Sequence, residues 1–364
     1  MEPDRRVFTF SIPPVPGNIY TPLWDAQINV CVEFGELNET TNRVEAVIAD
    51  DGQAAPVSNL LNTLWKNKNT RINRLGINNG DQFNTQTSFI INKLTVPSGV
   101  RNTYQQTEGG FDETCDPDIF QGTFQDHQNV EFLQRQKLYC RSKDDTVKTP
   151  KTVSLTGKLN LINKIHQPLP SRVEIQLTLE KEKVELLVNS GFPNKKYSLN
   201  IVGLEIHIPR LTIDNNVHSQ IENKLTKGEK ISYYFNRIQT TSFLLPGATR
   251  DFEVKSLFPD YHIPPTIIVF FQSQKRYLGD LSLSPHKYEM VGGIASDDKP
   301  NLNTVSMKIS GAPINRLISK SMIFLFLIYF TSRYFSTIQG NVESGMLKQY
   351  YLDLFRHLNC YYKQ

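Results

Sequence analysis

The residues with most chemistry to offer are seven histidines (His127, His166, His207, His218, His262, His286 and His357) and four cysteines (Cys31, Cys115, Cys140 and Cys360). None of the histidines falls in HxH or HExxH spacing. Those spacings place two imidazoles on one side of a strand or helix, which is how a cupin or a zincin builds its metal centre. Glu205 and His207 share one face of a strand-like run, but a centre built on them needs at least two more ligands from elsewhere. A solvated polar pair is the simpler reading. Cys115, His127 and Cys140 make a metal triad only across long, irregular gaps. The acidic cluster Asp112, Glu113, Asp116 and Asp118 lacks the glycine and alternate-ligand spacing of an EF-hand loop, so it reads as a solvated loop.

Other chemistries fare no better. Thr156-Gly157-Lys158 ends like a phosphate-binding loop, but the upstream glycine is absent and a strand pattern follows where a helix is required. There is no GxSxG nucleophile elbow. No run of Lys and Arg interleaved with aromatics marks a nucleic-acid groove. A glycosidase would need two carboxylates facing each other; Glu174, Glu180, Glu205 and Asp251 are available, and nothing in the sequence pairs any two of them. No catalytic, cofactor-binding or metal residue is therefore assigned, and the chain is expected not to be an enzyme.

The elements that would position such residues are mainly strands. Ile28, Val30, Val32 and Phe34 alternate with polar neighbours, as do Val44, Ala46 and Ile48, then Val173, Ile175, Leu177 and Leu179, then Val305, Met307 and Ile309. Between Leu199 and Ile208 the apolar face switches near Gly203, which predicts a β-bulge. Ile267 to Phe271 is continuously apolar and predicts a strand buried on both faces. Asn78-Asn79-Gly80-Asp81 after Arg71–Ile77 predicts a hairpin. Helices are few: one capped by Asp214 or Asn215 with Val217, Ile221 and Leu225 on one face and ended by Gly228, a shorter one over Asn59–Trp65, and one after Gly345. Residues 97–151 read as a long loop-rich insertion. Met322 to Phe330 is wholly apolar but far shorter than the roughly twenty residues of a membrane span, so a buried strand or short core helix is expected there.

Composition fits a folded, non-secreted chain. Its 364 residues exceed the usual single domain, and its net charge of +4 is too small for a DNA-binding footprint. The cysteines show no CxxC spacing, and MEPDRRVFTF carries charges where a signal peptide is apolar.

Four segments follow one another in a telling order. They are Gly157-Lys158-Leu159 through a Pro-Leu-Pro turn to Val173–Leu177; Tyr197 to His218; Lys230 to Gly247 with Arg237, Thr240-Thr241 and Leu245-Pro246-Gly247; and Ser256-Leu257-Phe258, Pro264-Pro265 and Ile267–Phe271. Upstream, Ala55-Pro56-Val57-Ser58-Asn59-Leu60-Leu61 through Asn79-Gly80 adds a further match. In this order and spacing the chain resembles the major capsid proteins of Polinton (Maverick) elements and adintovirus-like viruses, encoded in animal genomes. The resemblance implies an all-β double jelly roll of two adjacent eight-stranded-type sandwiches, assembled as trimeric pseudo-hexagonal capsomers of an icosahedral shell. It implies self-association as a homotrimer, a penton or minor capsid partner, no specific nucleic-acid site, no membrane and no cofactor. Virion localisation follows if the chain is viral, and an intracellular one otherwise.

On this reading residues 1–185 form the first jelly roll, residues 186–320 a partial second one, and residues 321–364 an apolar run with a helical tail. The boundary is expected between Lys181 and Lys196, on the charged run Glu180 to Lys183 and the turn Gly191-Phe192-Pro193-Asn194. The departure from the family is C-terminal, because fewer residues remain after 186 than a full second roll needs. The alternative of another class is a jelly-roll binding module, lectin-like or cytokine-like, without catalysis.

Overall fold

A computed structural model describes residues 6–49, 54–77, 83–96, 98–101, 103–111, 129–158, 167–192, 194–233, 238, 240–244, 253, 266–287, 308–309, 312–313 and 326–329. They fall into two compact units, one drawn mainly from Met1–Ala248 and Gln272–Glu289, the other mainly from Thr249–Phe271 and Leu302–Gln364.

Twelve short strands build the described part of the first unit: β1 (Val7–Ile12), β2 (Ile19–Tyr20), β3 (Gln27–Asn38), β4 (Arg43–Ala46), β5 (Ala54–Pro56), β6 (Trp65–Ile72), β7 (Leu75–Gly76), β8 (Lys151–Gly157), β9 (Ile175–Lys181), β10 (Val188–Ser190), β11 (Tyr197–His207) and β12 (Leu211–Thr212). One sheet has the order β1-β9-β6-β7; in the other, β3 lies between β11 on one side and β4 and β8 on the other. The two sheets form a β-sandwich. Ile28, Val30, Val32 and Phe34 of β3, with Leu199 of β11 and Leu155 of β8, share one core with Phe8 of β1 and Ile175, Leu177 and Leu179 of β9. The period-two pattern of β3 and β9 is the cause, since alternate residues of a pleated strand face one way and here that face is apolar.

The strand pairs are nested. β2 pairs with β12, β3 with β11, β5 with β10 and β6 with β9, all antiparallel. The chain thus runs out and returns alongside itself as one long ribbon, folded over so that β3–β11 and β6–β9 lie in opposite sheets. The return leg extends through Thr212, so the boundary expected between Lys181 and Lys196 falls inside this ribbon. The charged run that suggested a linker is drawn into the core region. The Glu182 amide donates to Leu64 O at 2.9 Å, and the Glu182 side chain is buried. The turn at Gly191 joins β10 to β11.

The register of β11 against β3 shifts between Ile201 and Gly203, the bulge expected from the switch in apolar face. Gly203 has a close-approach reason as well: a Cβ there would lie 3.2 Å from the Cys31 Cβ. Other details differ from expectation. The β6–β7 hairpin turns at Asn73-Arg74, both at positive φ (46° and 69°), because Ile72 pairs with Leu75; Asn78-Asn79-Gly80 lies outside the described residues. Val44, Ala46 and Ile48 are half-buried, and Val47 takes the core position.

Six helices lie among the described residues: α1 (Leu60–Thr63), α2 (Asn84–Thr95), α3 (Ser98–Arg101), α4 (Val130–Tyr139), α5 (Asn215–Thr226) and α6 (Gln274–Leu278). Four of them, α2, α3, α4 and α6, were not expected from the sequence, and the two longest of these share one reason: their buried faces are polar. α2 buries Thr85, Gln86, Ser88 and Asn92 beside Phe89 and Ile90. α4, inside the expected loop region, buries Arg135 and Gln136 between Phe132 and Tyr139 and is capped by Asn129, which accepts from the Phe132 amide at 3.0 Å. Neither shows the apolar stripe that advertises a helix. α5 matches expectation: the Asp214 carboxylate accepts from the Asn216 amide at 2.8 Å, and Gly228 follows at φ +83°.

In the second unit β13 (Thr266–Val269) pairs antiparallel with β16 (Phe326–Tyr329), and β14 (Lys308–Ile309) pairs with β15 (Ala312–Pro313). Four residues of the apolar run 322–330 are thus a strand on β13. Ile268 and Val269 are half-buried, whereas burial on both faces was expected. Val305, Met307 and the segment after Gly345 lie outside the described residues.

Candidate functional site

Each residue considered for chemistry has a place or falls outside. Glu205 and His207 sit two apart on β11 with Oε2 and Nε2 3.6 Å apart, both about two-thirds exposed. They are a surface polar pair, worth at most about 1 kcal/mol. Cys115, His127, Asp251 and the cluster Asp112–Asp118 lie outside the described residues; Cys140 is buried, with burial pushing its thiol up to about 12. Among the described residues no group of three His, Cys, Asp or Glu is placed to hold a metal.

The carboxylates considered for glycoside chemistry stay apart. Glu174 precedes β9 and Glu180 stands near its other end, about 20 Å away along an extended strand. Glu180 pairs with Lys66 at 3.5 Å, and Glu205 belongs to the opposite sheet. Gly157-Lys158 ends β8, and the Lys158 ammonium pairs with Asp25 at 3.0 Å rather than pointing into a phosphate cradle.

What sequence reasoning missed is a buried polar seam beneath α2. Lys68 of β6 donates to Ser88 Oγ at 3.4 Å, and Ser88 donates to Asn84 Oδ1 at 3.2 Å. Asn84 Nδ2 donates to the Trp65 carbonyl at 2.5 Å, and the Thr85 hydroxyl to Glu182 Oε2 at 3.1 Å. Burial raises the Glu182 carboxyl, and hydrogen bonds from the Lys183 amide and Thr85 oppose the rise. Gln105 Nε2 donates to Asn92 Oδ1. At one end Glu108 closes the seam. Its Oε2 accepts from Asn62 Nδ2 at 3.2 Å and its Oε1 from the Lys158 amide at 3.4 Å. Burial pushes the Glu108 carboxyl up to about 7, opposed by the Lys158 amide and the charge of Lys68. No residue-type signal announces the seam. Its members are ordinary surface residues by composition, and only Gly109-Gly110 marks the turn beside Glu108.

A serine beside a lysine amine is the pair a Ser–Lys hydrolase uses. Here Ser88 is 4% and Lys68 2% exposed, and Ser88 already donates to Asn84, so no substrate carbonyl reaches the hydroxyl in this conformation. The arrangement fastens α2 to β6 and β9. Such a network is structural, because each buried polar group that keeps its partner avoids a penalty of about 1–3 kcal/mol.

No family model matches the chain, and no curated protein does. Among solved structures it is similar to the mavirus major capsid protein, with 13% identity and a TM-score of 0.33 over 72% of this chain and 46% of that one. It is also similar to a chain of the Sputnik virophage, with 13% identity and a TM-score of 0.29 over 58% of this chain and 47% of that one. The chain spans just under half the length of either.

Proposed function

We propose that this chain is a non-catalytic structural protein of capsid type. The observation that carries the reading is the nested pairing of β2–β12, β3–β11, β5–β10 and β6–β9. A ribbon wrapped into two packed sheets is the architecture of a jelly roll, used by shell proteins because paired sheets leave few open edges. The ordered segments from Gly157 to Phe271 that resemble Polinton-type major capsid proteins support the same reading. On it, residues up to Thr212 form the first roll, the later strands belong to a partial second roll, and three chains associate side by side into a capsomer within a virion shell. The polar seam then serves rigidity, since shell formation needs shape and interface area rather than reactive groups.

Light scattering coupled to size-exclusion chromatography, with negative-stain microscopy of the peak, tests this. The expected species has three times the 41.7 kDa chain mass and a pseudo-hexagonal outline. A monomer at every accessible concentration overturns the reading.

A further inference from the structure

Glu108 sits where three segments meet. It ends the short 3-10 turn Tyr104–Glu108, its carboxylate reaches Asn62 on α1, and its other oxygen accepts from the amide just past β8. Gly157 makes room for it, since a Cβ there would fall 2.3 Å from Glu108 Oε1. The same turn is held from the other side: Gly109 O accepts from the Asn59 amide at 2.8 Å, and the Ser58 hydroxyl donates to Phe111 O at 2.8 Å. The Glu108 side chain is 5% exposed.

We propose that Glu108 is a proton-operated latch: as the neutral acid it holds the Tyr104–Phe111 turn and the end of β8 against α1, and on ionising it draws water in and lets both come away. The charged and titratable groups facing it among the described residues are few. Lys68 reaches it from β6 and favours the ionised form. Lys158 follows β8, but its ammonium is engaged by Asp25. Tyr104 lies on the same turn, its phenol raised by burial and by Glu108 itself. Tyr139 of α4 stands over Gly109, neutral because burial raises its phenol further still. α1 contributes only the uncharged Asn62. None of these offsets the burial, which is why the carboxyl stays raised.

The window follows from the two states. An opened latch exposes Glu108 to water, where it ionises near 4.5, whereas the closed latch holds it near 7. Closure is therefore fully favoured below about pH 4.5, weakens about tenfold per pH unit, and levels off above about 7.

Amide hydrogen exchange, corrected for intrinsic rates, reads this directly. Between about pH 5 and pH 8 the Asn59, Gly110 and Lys158 amides should lose up to about 100-fold protection, while Val30 and Val32 in β3 stay constant. In Glu108→Gln, which cannot ionise, the pH-dependent loss should vanish. Equal pH dependence in the variant, or no change in the parent, overturns the proposal. Should the variant not fold, a carbon-13 titration of the Glu108 carboxyl in the parent decides: a midpoint near 7 supports the latch, and one near the ordinary glutamate value refutes it.

Discussion

The ring of Tyr197 stacks on Phe34 with centroids 5.7 Å apart and planes 23° from parallel, and its hydroxyl lies 2.8 Å from Ser190 Oγ. One side chain thereby ties β11 to β3 and to β10, where the returning ribbon changes direction. Burial pushes its phenol up to about 12. The stability that neutral Tyr197 contributes is therefore present below about pH 10 and lost as pH rises through about 12. Tyr197→Phe should cost about 1 kcal/mol in denaturant melts at neutral pH, because Ser190 keeps its bonds to Phe192. The difference between parent and variant should shrink at alkaline pH. A phenolate absorbance titration in which Tyr197 ionises with the exposed tyrosines would contradict this.

Arg74 holds a left-handed conformation, φ 69°, at the second turn position of the β6–β7 hairpin. That geometry suits glycine and costs other residues about 1 kcal/mol. Arg74→Gly should leave stability unchanged or raise it by up to about 1 kcal/mol, with glycine's greater unfolded-state freedom taking back part of the gain. A clear fall in the thermal midpoint would show that the Arg74 side chain makes a stabilising contact.

α5 buries none of its side chains. Such a helix depends on its ends and its polar ties: Asp214 at the cap, Asn18 on Ile213 O and Asn215, and Arg172 with Glu222. Asp214→Ala removes about 1 kcal/mol of capping. The expected result is fraying of residues 215–218 in amide exchange with an unchanged global melt. A matching drop in the global melt would mean that α5 is coupled to the sandwich core.

Deleting Ser321–Gln364 removes β16, the strand on which β13 is paired. The freed edge of Thr266–Val269 should recruit strands from other molecules, so the shortened chain should lose solubility. Equal or better solubility in a concentration series would show that β16 does not protect that edge.

The alternation of β3 and β9, the bulge at Gly203 and the Asp214 cap were legible because each rests on local spacing. The extent of the returning ribbon was not. Glu180 to Lys183 has the composition of a linker, and non-local partners draw it inside: Glu180 and Lys181 pair with β1 and β6, and Glu182 meets the Thr85 hydroxyl and the Leu64 carbonyl. α2 and α4 were hidden because they bury Asn, Thr, Ser, Gln and Arg, residues whose satisfaction depends on partners far along the chain. The seam around Lys68 and Glu108 was unreadable for the same reason, since twenty residues separate Lys68 from Ser88 and 46 separate Asn62 from Glu108.

The concentric pairing also sets a timetable for synthesis. Among the described residues the Ile28–Phe34 segment of β3 meets no strand partner until β8, roughly 120 residues downstream, and its other edge waits for β11 some 45 residues beyond that. At ribosomal rates of about 5–20 residues per second, those backbone edges stay unpaired for on the order of 6–30 seconds after they emerge. A nascent chain in that condition is a client for holding chaperones, and slower translation lengthens the exposure without changing a single native contact.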